Sequence, residues 1–147
     1  MKILAIDQAS TSGWCVSKDI HGTWDFKTRK DESSGMKGLR FRAKLKEVCE
    51  LEGIELIVYE RIAGFHKNSI IHAAKMVAII ETFCEESGIE YRAYSATEIK
   101  KYATGKGNAN KEAMIQACID KYGINPIDDN EADAVHLWYL ANEEFNN

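Results

Sequence analysis

The sequence predicts a mixed α/β fold in which a five-stranded sheet carries helices on both faces. Two observations predict it: strand patterns come first with helical patterns interleaved and last, and acidic residues stand at the ends of these elements. The chain of 147 residues is 45% hydrophobic and 29% charged, as expected for one globular domain over 1–147. No apolar run approaches the roughly 18–20 residues of a membrane span, so we expect a cytoplasmic protein with no membrane partner.

Three strand patterns open the chain. Segment 2–7 (KILAID) is predicted as a buried strand that ends on Asp7, and the polar, glycine-containing 8–13 is predicted as a turn. Segments 14–18 and 22–28 are interpreted as two further strands with a short connection. We therefore expect an antiparallel meander.

Helical and strand patterns then alternate. Apolar residues at helical spacing predict a helix over about 35–52, and 54–60 (IELIVYE) is a buried strand that ends on Glu60. The most apolar helical segment is about 68–87, and a short strand follows at 89–94. A helix between two strands indicates a crossover connection.

Capping residues indicate three more helices. Ser95 begins a capping-box pattern, and Asn110 is a candidate cap for a helix over 111–122. Either Asp128 or Asp129 can cap the last helix.

The cysteines and the charge distribution limit the function classes. Four scattered cysteines without a Cys-x-x-Cys pair favour buried reduced thiols over disulfides or zinc ligands. A net charge of −4 at first argues against a nucleic-acid partner. However, eight basic residues lie between Lys27 and Lys46, while 120–144 is mostly acidic. The basic run is either a binding surface or the solvated face of one helix.

Acidic residues fall where a site would form. Asp7 ends the first strand, Glu60 ends the fourth, and Asp133 lies early in the last helix. If the two strands are parallel neighbours, both carboxylates project into one crevice. Divalent cations such as Mg²⁺ relieve the repulsion between neighbouring carboxylates. The alternative for each residue is a carboxylate that simply faces water at the end of a strand or helix, which is the commoner case. Helical spacing allows Asp129 or Asn130 to be a fourth ligand.

Four segments together carry a family resemblance over nearly the whole chain: KILAIDQASTSGW, IVYE, ATGKGNANKEAM and DDNEADAVHLW. They resemble RuvC-type Holliday-junction resolvases, particularly the short bacteriophage ones, which have the RNase H-like fold. The resemblance implies a homodimeric, Mg²⁺-dependent endonuclease that resolves four-way and other branched DNA by two-metal hydrolysis, with Mn²⁺ as a substitute. For a phage-encoded protein the compartment would be the cytoplasm of the bacterial host.

The resemblance also implies roles for particular acids. In the family, an aspartate on the first strand, a glutamate on the fourth and two acids around the last helix bind two metal ions. Asp7, Glu60 and Asp133 match three of these positions. The chain departs from the cellular pattern at Asn130, where those enzymes carry Asp, so Asp129 is expected to take the fourth role.

The candidate DNA contacts are basic residues and one aromatic residue: Lys100, Lys111, Phe65, Lys67 and Arg40. By resemblance, Lys100 and Lys111 bind phosphate, and Lys111 also supports catalysis. Phe65 is the candidate wedge that stacks at the junction, although Ala63 occupies the family's usual position for it. The alternative is that Phe65 is an ordinary packed side chain. The helix at about 70–84 is the candidate dimer interface, with a purely core role as the alternative.

Three other functions compete with the resolvase. The segment DQASTSG also resembles the phosphate loop of actin-like ATPases and sugar kinases, but 147 residues hold only one of the two domains that those proteins need. An inert scaffold that binds branched DNA would use the same surface. A nuclease for RNA or RNA–DNA hybrids would carry the same acids.

Overall fold

A computed structural model describes residues 1–64 and 66–147. The strands are β1 (Ile3–Asp7), β2 (Thr11–Ser17), β3 (Ile20–Asp25), β4 (Leu56–Glu60) and β5 (Glu90–Tyr94). The helices are α1 (Gly35–Glu52), α2 (Lys67–Ser87), α3 (Ala96–Thr104), α4 (Lys111–Tyr122) and α5 (Asp129–Asn146). The predicted mixed five-stranded sheet is confirmed.

The sheet has the strand order β3-β2-β1-β4-β5. The first three strands form the expected antiparallel meander, and β4 and β5 are parallel to β1. Ile6 pairs with Tyr59 between β1 and β4, so Asp7 and Glu60 follow at the same level on neighbouring strands. The carboxyl ends of β1, β4 and β5 therefore meet at one edge, which we call the carboxyl edge.

Alternating residues of β1 pack on opposite faces of the sheet. Leu4 and Ile6 are fully buried in a core formed with α1 and α2, where Phe41 is also completely buried. Ile3 and Ala5 belong to a second core with α3, α4 and α5. Because successive side chains of a strand point to opposite faces, helices cover both sides of the sheet as predicted.

The helix caps decide boundaries that sequence patterns left open. Ser95 forms a complete capping box, and the Asn110 side chain accepts a hydrogen bond from the Ala113 amide at 2.8 Å. Of the two candidates for α5, Asp128 is the cap, since its Oδ1 accepts from the Glu131 amide at 2.9 Å. These caps satisfy backbone amides that have no partner within the helix.

The predicted turn at 8–13 is too long. Strand β2 begins at Thr11, which pairs with Asp25, and Gly13 pairs with Asp7. The cross-strand pairing outweighs the local turn preference of small polar residues.

The cysteines are as predicted from the sequence. Cys15, Cys49, Cys84 and Cys118 are buried free thiols, as predicted. In the part of the chain that the structure describes, no helix is both long enough and apolar enough to cross a membrane.

Candidate active site

The two strand-end acids meet α5 at the carboxyl edge. Helix α5 packs across β1 and β2, which brings its first two turns over the end of β1. Burial raises the pKa of Asp7 well above its usual value, and the nearby Asp133, Glu60 and Asp129 carboxylates raise it further. The four acids singled out in the sequence therefore lie within electrostatic range of one another.

Helix α5 contributes two acids to this cluster, and Asp133 is the more deeply buried of them. Burial raises its pKa, and the charges of Glu60 and Asp129 add to the effect. Its Oδ1 atom is buried and has no hydrogen-bond partner among the described residues. A buried carboxylate oxygen without a donor is costly, so this atom faces a position suited to a cation or a protonated group.

Two lysines border the carboxylates. Burial raises the pKa of Glu60, and the Lys100 ammonium acts in the opposite direction. The Lys111 Nζ atom lies 3.9 Å from the Asp129 Oδ2 atom, with 78% of its side chain exposed. Both lysines also lower the pKa of Asp133. Both lysines are therefore close enough to the acids to act on them electrostatically.

Gln8 is a site residue that sequence reasoning missed. Its Nε2 donates to the Glu60 carbonyl oxygen at 2.7 Å, which ties the residue after Asp7 to the end of β4. Its Oε1 atom is buried without a partner in the described chain. Its position beside Asp7 was the only sequence signal available, because the bond spans 52 residues.

A hydrogen bond between His21 and Glu131 holds the first turn of α5. The Glu131 Oε2 atom lies 2.7 Å from Nδ1 of His21 on β3, and its Oε1 accepts from the Ile127 amide at 2.7 Å. Glu131 is only 6% exposed. The pair anchors the helix turn that carries Asp129 and Asp133, and sequence reasoning missed it because its partners are 110 residues apart.

Gly13 allows α5 to approach the sheet closely. A Cβ atom added to Gly13 would lie 1.8 Å from the backbone oxygen of Asn130. Only glycine therefore fits at this position of β2. The contact uses the backbone of Asn130, the residue that departs from the cellular resolvase pattern.

His136, one turn after Asp133, has a structural role. It is completely buried, and its Nε2 lies 2.9 Å from the carbonyl oxygen of Met114. Because a carbonyl only accepts, Nε2 carries the proton and Nδ1 accepts from the Tyr122 hydroxyl at 3.0 Å. Both ring nitrogens are thus satisfied within the core.

The donor chemistry of the cluster fits a hard divalent cation. Carboxylate oxygens are the ligands that Mg²⁺ prefers, and burial together with the neighbouring carboxylates raises the pKa values of Asp7 and Asp133. Among the described residues, however, no group of three or more His, Cys, Asp or Glu side chains already has the spacing of a metal site.

The other candidate DNA contacts lie apart from the acids or outside the described residues. Lys67 is the exposed first residue of α2, and Arg40 on α1 forms an ion pair with Glu32. Phe65, the proposed wedge, lies outside the described residues.

The fold and the cluster define a class of protein. The strand order and the helices on both faces are those of an RNase H-like fold. The acids from β1, β4 and α5 at its carboxyl edge form a candidate site whose oxygen donors suit divalent cations.

Comparisons with known proteins narrow the class. The chain matches no family model. It is 38% identical over 75 residues to the crossover junction endodeoxyribonuclease RuvC of Brachyspira hyodysenteriae, a match that covers 50% of this chain and 47% of that protein. It is 27% identical to RuvC of a Sulfurovum species over 95% of both chains. The structure of T. thermophilus RuvC in complex with a Holliday junction substrate superposes with a TM-score of 0.76 at 19% identity, covering 98% of this chain and 96% of that one.

The chain is thus RuvC-like in sequence and in fold. The bacteriophage subtype expected from the sequence stays a prediction.

Proposed function

We propose that this chain is a structure-selective DNA endonuclease that resolves four-way junctions and cuts related branched DNA. The observation that carries the proposal is the convergence of Asp7, Glu60, Asp129 and Asp133 at the carboxyl edge of a RuvC-like fold. The curated relatives are named crossover junction endodeoxyribonucleases, which supports the same reaction. In this proposal residues 1–147 form one nuclease domain that acts in the cytoplasm.

The four acids are the proposed metal ligands, for two Mg²⁺ ions or for Mn²⁺ in their place. When bound, such ions lower the pKa of water and stabilise charge on phosphate oxygens. Gln8 supports the arrangement because its bond to the Glu60 carbonyl fixes the spacing between the ends of β1 and β4. The His21–Glu131 pair does the same for the start of α5.

Lys100 and Lys111 are the proposed phosphate contacts of the site. Both interact electrostatically with the carboxylates, yet Lys111 is largely exposed and so free to reach a bound strand. Contacts to phosphate carry no sequence information, which suits an enzyme that recognises branched shape. Lys67 is a further exposed candidate at the start of α2, which follows β4.

The proposed partner in solution is a second copy of the chain, because paired cuts in a four-way junction need two sites. One face of α2 packs in the core through Met76, Val77 and Ile80, while Ile71, Ala74 and Ala78 lie exposed on the other. An Ala74→Arg substitution is expected to give a monomer in analytical ultracentrifugation with an unchanged unfolding transition. An unchanged dimer would place the interface elsewhere.

Cleavage of a labelled synthetic four-way junction tests the proposed reaction. Linear duplex, a fork and an RNA–DNA hybrid serve as parallel substrates, with and without Mg²⁺. We expect paired, metal-dependent nicks near the crossover by the wild type, and binding without cleavage by Asp7→Asn. Asp19→Asn makes the same charge change in the exposed turn between β2 and β3 and should cut normally.

The rival functions correspond to other outcomes of the same assay. Cutting of the hybrid alone would indicate a ribonuclease, and junction binding without any cutting would indicate a scaffold. ATP hydrolysis without DNA cleavage would indicate the kinase-like alternative.

A further inference from the structure

A groove separates the N-terminal halves of α1 and α2. It has a volume of about 490 Å³. Among the residues that line it are Lys37, Phe41, His72, Lys75 and Ile79. We call it the α1–α2 groove.

The groove lies at the carboxyl edge, beside the acids. Strand β3 is parallel to β1, since both are antiparallel to β2, so α1 begins at the edge where Asp7 lies. Helix α2 follows the end of β4 at the same edge. The Lys37 Nζ atom donates to the Ser10 hydroxyl at 3.0 Å, and Ser10 is three residues after Asp7. A strand of DNA that reaches the acids can therefore continue into the groove.

The cations of the groove differ from their neighbours on α1. Arg40 pairs with Glu32, Arg42 with Glu86, and Lys44 with Glu47. For Lys37 and Lys75, no carboxylate lies within ion-pair distance in the described ranges. Two lysines without a counter-charge that face one cavity favour an anionic occupant.

His72 lines the same groove as these two lysines. Burial lowers its pKa, and the charges of Lys37 and Lys75 lower it further. Its Nε2 atom is buried and has no hydrogen-bond partner within the described chain. A phosphate oxygen would supply an acceptor for the ring and a counter-charge for both lysines, while the partly exposed Ile79 offers an apolar surface suited to the sugar.

We propose that the α1–α2 groove binds a phosphodiester of the DNA strand that extends from the cleaved bond, through Lys37, Lys75 and His72. This inference rests on the proposed function, since it concerns the same substrate. The groove would hold the strand in register without reading its bases.

The salt dependence of junction binding tests the inference. Affinity for a four-way junction is measured by fluorescence anisotropy in EDTA, at several salt concentrations, for wild type, Lys37→Gln, Lys75→Gln and the double variant. Because both lysines contact the same phosphate, the double variant should reduce the slope of log K against log salt by about 0.9, and each single variant should reduce it by less. Lys18→Gln, at the opposite edge of the sheet, should leave the slope unchanged.

The outcomes separate this inference from the proposed function. If the double variant has the wild-type slope while the wild type cuts the junction, the groove does not bind a phosphate. The proposed resolvase function would then still stand. A second outcome is that the variants are monomeric in ultracentrifugation, with a salt slope per monomer equal to that of the wild type. In that case a second copy of the chain occupies the groove, and the inference is wrong. If the wild type neither binds nor cuts branched DNA, both proposals fail.

Discussion

His136 lies near the site, and its protonation state affects the stability of the folded protein. Burial lowers its pKa to about 4, so the folded protein holds the ring neutral between Tyr122 and Met114. The unfolded chain has the higher value of 6.5. The stabilisation is therefore complete above pH 6.5 and is lost as the pH falls toward 4.

We expect this group alone to lower the free energy of unfolding by about 2 kcal/mol between pH 6.5 and 5, at about 1.4 kcal/mol for each pH unit. Urea unfolding at the two pH values measures it. In His136→Gln the difference should shrink by that amount, whereas the exposed His66→Gln should behave as wild type. An equal pH dependence in His136→Gln would show that the ring is not held neutral.

Asp7 has the opposite effect on stability. Its folded pKa is raised by burial and by the surrounding acids, so the group costs stability as the pH rises above the unfolded value of 3.8. At neutral pH and without metal, Asp7→Asn should therefore raise the melting temperature by about 3 °C or more, since a chain of this size gains about that much per kcal/mol.

Thermal unfolding in EDTA makes this measurement. The matched variant Asp19→Asn removes a charge from an exposed turn and should leave the melting temperature unchanged. A lower melting temperature for Asp7→Asn would mean that the carboxylate has a stabilising partner in the folded state.

The contact between α5 and β2 decides where the helical acids lie. Because an added Cβ at Gly13 would meet the Asn130 oxygen, Gly13→Ala must displace the first turn of α5. We expect a loss of about 1–3 kcal/mol of stability, typical of overpacking, together with a larger loss of junction cleavage.

Unfolding and cleavage measured on the same preparation test this expectation. Gly35→Ala is the matched control for stability, because nothing lies within 4 Å of its added Cβ. If Gly13→Ala unfolds and cuts like the wild type, the approach of α5 is not what positions Asp133.

The same elements show what could be predicted from the sequence. The range 35–52 for α1 was correct because Gly53 ends it in the left-handed conformation, and the acids at the ends of β1 and β4 were found because strand ends are local features. The start of β2 was wrong because Ser12 and Gly13 have turn preferences that pairing with β1 and β3 overrides.

The contacts that complete the site are not local. His21 and Glu131 come from β3 and α5, and Gln8 reaches the backbone of Glu60 on another strand. Sequence periodicity contains no information about such pairs, since each partner alone looks like a solvated polar residue.

The charge of the whole molecule is divided between an acidic site and basic surroundings. The net charge is −4, yet Lys100 and Lys111 border the acids and Lys37 and Lys75 face the neighbouring groove. Without metal, the carboxylates repel DNA that the surrounding lysines attract. Affinity for DNA should therefore depend on neutralisation of the acids.

Glu60→Gln tests this balance. In EDTA, removal of one negative charge beside the bound phosphates should raise junction affinity about fivefold, which corresponds to about 1 kcal/mol. Fluorescence anisotropy with the labelled junction measures the change. Asp19→Asn, which removes a charge far from the carboxyl edge, should bind as the wild type does.

With Mg²⁺ the advantage of Glu60→Gln should disappear, because bound cations neutralise the same charge. An unchanged affinity in EDTA would mean that the strand does not pass the carboxylates when it binds, and that DNA enters the site only after the metal.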